Sequence, residues 1–208
     1  MTAQAPYWRC WLVGLAVVAA PAPALAQKVE LSPVFGRQFG GEIDAGDGIL
    51  EIPAAWSYGL MLDIAWQPGV KLELLYSRQE TRLDLKPFSG DPTSTLFDMA
   101  VQYIQAGVIY ELHEEAKTRP FFGLTVGASY FDAQEAEREG KWSFAGGFGG
   151  GVKHFLTSNV GLRGDGRILF SLTSTGDEIF CTPTSCLTGV DSAIIAQGVV
   201  SGGLLFAF

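Results

Sequence analysis

Long hydrophobic runs are missing from this chain. No segment reaches the ~20 consecutive apolar residues that a membrane-spanning helix requires, so helical spans are excluded. Charge is sparse: Asp, Glu, Lys and Arg make up 17% of 208 residues. There is no basic excess either. The net charge is −8, which leaves no electrostatic footprint for nucleic acid. Histidine occurs twice, at His113 and His154, and cysteine three times, at Cys10, Cys181 and Cys186. What is abundant is glycine, at 26 residues, and aromatic side chains, at 12%; that aromatic share argues against disorder.

The amino-terminus has the layout of a secretory signal. Arg9 is the only charged side chain before Lys28, and Trp11 to Ala20 form an apolar core. About ten residues is the length of a signal core. Ala24-Leu25-Ala26 then fits the small-x-small cleavage rule, which predicts removal after Ala26 and divides the chain into a signal, 1–26, and one mature domain, 27–208. A retained anchor helix is the alternative, but it would be short and carry Pro21 and Pro23 at its end. Cys10 precedes the apolar core, which argues against a lipoprotein. Cys181 and Cys186 lie in a stretch rich in Thr, Pro and Ser. An exported chain meets an oxidising compartment, so these two are expected to close a small disulfide loop. Metal binding by two thiols without a nearby histidine is the weaker option.

The mature chain alternates with period two. Reading back from the end, Phe208, Phe206, Leu204, Gly202, Val200, Gly198, Ala196 and Ile194 share one face without a charge or hydroxyl. Ala207, Leu205, Gly203, Ser201, Val199, Gln197 and Ile195 share the other. Such alternation suits a strand between an oily and a wetter surrounding. Trp56, Tyr58, Leu60, Leu62, Ile64 and Trp66 form a second oily face, with a tryptophan at each end. Ten residues at ~3.3 Å each and a tilt of ~45° span roughly 23 Å of membrane normal. The apolar band of membrane barrels is about 25 Å tall, with an aromatic girdle at each edge.

Continued along the chain, this reading gives eight strands, with connections alternating long and short. Short turns follow strands two, four and six, at Gln67-Pro68-Gly69, His113 to Arg119 and Leu156 to Asn159. The pattern predicts an all-β, eight-stranded antiparallel up-and-down transmembrane barrel with both termini at the short-turn end. The first strand is expected over Val29–Ile43, with loops over 44–55 and 82–95. Met99, Val101 and Tyr103 fall out of phase with Ile104 to Leu112, so a bulge is expected between them. The run Gly146 to Gly151 lacks the Lys-Ser/Thr of a phosphate loop and reads as relief of crowding in a small barrel. A soluble secreted β-sandwich is the competing fold.

Several pieces resemble the small eight-stranded outer-membrane β-barrel family of the OmpA/OmpX type. They are Glu30 to Gly41, Leu74 to Gln79, Arg119 to Leu124, Gly151 to Leu156 and the terminal Phe208. The resemblance implies a bacterial outer-membrane location. It also implies a closing strand whose Phe208, Phe206 and Leu204 are read by the barrel-assembly machinery after escort by periplasmic chaperones. For activity it implies little, because such barrels include structural, adhesive, pore-like and lipid-modifying members.

The inward phase supplies Glu30, Asp63, Glu73, Glu111 and Asp165 with Lys153, Arg163 and Arg167, mostly toward the periplasmic half. Buried charges must pair or cost several kcal/mol each, so a lumenal ion network is expected, with Arg163 and Arg167 flanked by carboxylates. A plugged polar core accounts for these residues more simply than acid–base catalysis does. Arg37 and Arg78 fall in the outward phase, where an Arg at mid-bilayer costs ~2–4 kcal/mol. Either a bulge or snorkelling relieves them, or they meet lipopolysaccharide phosphates. No catalytic group, metal site or cofactor is expected: both histidines sit at periplasmic ends, away from outer-leaflet lipid. The functional expectation is a non-enzymatic outer-membrane barrel with a structural or loop-mediated role, its loop partner unspecified; the alternatives are a narrow pore and, after it, an outer-leaflet lipid-modifying enzyme.

Overall fold

The computed structural model describes residues 29–45, 48–134, 140–172 and 194–208. The signal segment, Cys10, Cys181 and Cys186 lie outside the described residues. Among the described residues are ten strands: β1 (Val29–Phe39), β2 (Glu42–Ala45), β3 (Gly48–Glu51), β4 (Ala55–Gln67), β5 (Val70–Pro87), β6 (Ser94–Glu111), β7 (Thr118–Ala133), β8 (Lys141–Phe155), β9 (Val160–Leu172) and β10 (Ile194–Ala207). Eight of them close an antiparallel ring in the order β1-β4-β5-β6-β7-β8-β9-β10. The first and last strands join from Glu30↔Ala207 to Phe39↔Gly198. The terminal residue is tied in as well, since Phe208 N donates to Val29 O at 2.9 Å.

The two faces separate as the alternation demands. Trp56, Leu60, Trp66, Phe122, Leu124, Ile168, Val200 and Leu204 are exposed on the outside. Glu30, Asp63, Glu73, Lys153 and Ser171 are wholly buried inside. The outward positions of β9 and β10 carry no charge. A soluble sandwich would place its apolar face in the core; here that face is the exposed one, contrary to the competing reading.

Four expectations need correction. β1 stops at Phe39, because Gly40 and Gly41 take positive φ angles of 81° and 114° and turn the chain. The supposed loop over 44–55 contains the β2–β3 hairpin, whose β3 pairs with the outer end of β5, Gly48↔Pro87 to Glu51↔Asp84. The supposed loop over 82–95 is mostly paired strand, with Leu83↔Phe97 and Leu85↔Ser94. No bulge separates Tyr103 from Gln105: the β5–β6 register runs unbroken from Val70↔Tyr110 to Leu83↔Phe97, and the irregularity falls beyond Leu83. Met99, Val101 and Tyr103 therefore point inward on the same face as Glu111. They are apolar because the outer half of the lumen is apolar.

The glycine run is a crowded wall. A Cβ on Gly151 would lie 2.0 Å from Gly164 O and 2.9 Å from Phe121 Cζ. Any side chain there would push against a neighbouring strand's backbone.

Candidate functional site in the barrel lumen

The lower lumen is built from two opposed rows. Glu30, Asp63 and Glu73 are register partners on β1, β4 and β5, Glu30↔Asp63 and Asp63↔Glu73. Arg119, Lys153 and Arg163 are register partners on β7, β8 and β9. Like charges directly opposite one another destabilise a sheet. Curling the sheet into a ring removes the conflict, because each row then faces its opposite across the lumen.

Lys153 Nζ donates to Glu30 Oε2 at 2.7 Å, to Asp63 Oδ2 at 2.6 Å and to Glu111 Oε1. Lys71 bonds Glu30 and lies 2.9 Å from Glu111 Oε1. Arg163 donates to Asp63 at 2.8 Å, Glu73 at 2.5 Å and Asp165 at 3.2 Å. Arg167 makes two paired contacts. Its Nη1 and Nη2 take the two oxygens of Glu73 at 2.5 and 2.8 Å, and its Nε and Nη2 take those of Asp165 at 2.6 and 2.9 Å. Fork-on-carboxylate geometry of this kind is the strong, directional form of the ion pair. The Arg163 guanidinium also rests 4.6 Å from the Phe121 ring centre.

All eight sequence-predicted lumenal residues thus meet in one network. Three participants were not anticipated. Lys71 shares the inward phase of Glu73, but its place beside a turn hid it. Arg119 stands at the periplasmic mouth, 3.9 Å from Glu111 Oε2 and over the Phe155 ring. Phe121 has no polar signature at all.

Above this tier the lumen changes character. Val34, Met61, Leu75 and Leu169 are buried, followed by Leu83, Phe97, Met99, Val101 and Phe131, with Leu50 and Ile52 of the hairpin segment on the same cluster. A small polar seam crosses it. Gln197 Oε1 accepts from Gln38 Nε2 at 2.8 Å and from the Tyr103 hydroxyl at 2.9 Å. Gln197 Nε2 donates to Gln79 Oε1 at 3.2 Å and to Gly40 O at 3.1 Å.

On the outer surface, Arg37 and Arg78 lie in regular register, opposite Trp56 and Tyr58 respectively. No bulge turns them inward: the β4–β5 irregularity falls at Ala65/Gln67. Arg37 sits 5.6 Å from the Trp56 ring centre, and Arg78 Nε is 3.4 Å from Glu80. Phe208, Phe206 and Leu204 all fall on the outward phase of the closing strand. At the periplasmic end, His154 Nδ1 and Thr118 Oγ1 are 2.8 Å apart and exposed, and no acid among the described residues completes a catalytic triad with them.

No protein-family model matches the sequence, and no curated protein matches it. Solved structures do match. Neisserial surface protein A aligns at 14% identity with a TM-score of 0.57, covering 87% of this chain and 97% of that one. The outer membrane protein OprG of Pseudomonas aeruginosa aligns at 14% identity and 0.59, covering 88% and 96%. Outer membrane protein AlkL, determined in lipid bilayers, aligns at 14% identity and 0.54, covering 100% and 97%. The fold is that of the small bacterial outer-membrane β-barrels, an all-β ring of eight antiparallel strands.

Proposed function

We propose that this chain is an integral outer-membrane barrel of a Gram-negative-type envelope whose lumen is sealed, and whose work is structural or done by its external loops. The observation that carries this is the two-tier filling of the interior. Lys153 and Tyr103 are both 0% exposed, and an eight-stranded ring leaves an interior only wide enough for such side chains. The outward band from Trp66 to Trp56 supports lipid as its surroundings. The outward Phe208, Phe206 and Leu204 support delivery by periplasmic chaperones and the barrel-assembly machinery. The histidines, both toward the periplasmic end, support a non-enzymatic role.

Planar-bilayer recording of the refolded barrel tests the sealed lumen. The expected record has no steady current. A reproducible conductance step would favour the narrow-pore alternative.

A further inference from the structure

The outer rim has a groove lined by Arg37, Ala54, Ala55, Trp56, Tyr58 and Glu80. Arg37 is exposed on the lipid-facing phase. Among the described residues it has no carboxylate partner. Glu80, which lines the same groove, lies 3.4 Å from Arg78 Nε. The Arg37 guanidinium is held over Trp56, and Phe35 stacks on the other neighbour position of that indole at 5.0 Å and 15°. Trp56 stands roughly 23 Å above Trp66 along the membrane normal, about the full height of the apolar band. An uncompensated guanidinium is thus fixed at the level of the outer headgroups. The outward column beneath it, Phe35, Tyr58 and Leu60, is apolar and exposed.

We infer that this groove binds a phosphate of an outer-leaflet phosphorylated glycolipid, with an acyl chain lying along that column. The inference rests on the reading of the chain as an outer-membrane barrel. Arg37 supplies the free, planar donor set that suits phosphate oxygens, and Trp56 limits the rotamers it must give up. Arg78 is a second, partly committed cation across β4. Glu80 opposes anion binding twice, by repelling the phosphate and by occupying Arg78.

The test uses the full mature chain refolded in detergent. Retained lipid is measured by native mass spectrometry with bis-phosphorylated lipid A, the same lipid without phosphate, or phosphatidylglycerol, and with inorganic phosphate as competitor. Bis-phosphorylated lipid A should be retained best, and inorganic phosphate should not displace it. Arg37→Gln should weaken retention about tenfold, the scale of one charge-assisted contact. Glu80→Gln should strengthen it, and Lys86→Gln, a rim cation on the strand paired to the hairpin, should leave it unchanged. Equal losses for Arg37→Gln and Lys86→Gln would mean diffuse attraction and overturn the site. So would equal retention of the phosphate-free lipid, or displacement by free phosphate. Each variant is also tested for insertion into vesicles. A chain that never inserts defeats the barrel reading itself, whereas a chain that inserts without discriminating lipids defeats only the groove.

Discussion

The two halves of the lumen solve the same packing problem with opposite chemistry. Toward the periplasm, five carboxylates and five cations among the described residues pair across the ring. Toward the outside, aliphatic and aromatic side chains fill the space, sewn by one glutamine–tyrosine seam. The lower tier is directional: a row of acids on β1, β4 and β5 is satisfied only if β7, β8 and β9 come round to face it. The upper tier is non-directional and tolerates approximate shape. The lower half therefore specifies closure, and the upper half contributes burial. Ion pairs of this kind are weak evidence for stability in themselves; what they add here is a penalty on any arrangement that leaves the rows unmatched.

The lower tier is most vulnerable at Lys153. Lys153→Met keeps the volume but strips one cation from Glu30, Asp63 and Glu111. A loss of about 3–5 kcal/mol is expected, the scale for removing one partner of a buried pair, measured by urea unfolding of the barrel in vesicles. Adding Glu111→Gln should recover part of it, which simple misfolding would not allow. In the upper tier, Leu83→Ala should cost about 2–4 kcal/mol through the cavity it leaves. No second substitution that merely changes a charge should restore it. At the periplasmic mouth, Arg119→Gln should cost under about 1 kcal/mol, since this cation is partly solvated and 3.9 Å from its acid.

Much of the ring was legible in alternation alone. The faces of β4, β9 and β10 follow from parity, and parity placed Glu30, Asp63, Glu73 and Arg163 inside. The errors have a common physical origin. Treating the interior as uniformly wet made Met99, Val101 and Tyr103 look like a change of phase, when they were the first sign of an apolar upper lumen. The β2–β3 hairpin escaped because its four-residue strands are too short to carry a long alternation; what holds it is pairing with β5, a contact far away in sequence. Arg37 and Arg78 suggested a bulge because a charge on a lipid face is expensive, yet the register shows them simply facing out at the rim. Which acid meets which cation was never readable from one strand, because the matching exists only across the closed ring.

The claim that cross-lumen pairing locks closure is tested most directly by a double-mutant cycle on Glu73 and Arg167. Glu73→Gln, Arg167→Met and the double variant are unfolded in vesicles beside the parent. A coupling of at least about 1.5 kcal/mol is expected, the double variant being far less damaged than the sum of the singles. Coupling near zero, with the two losses simply adding, would contradict it.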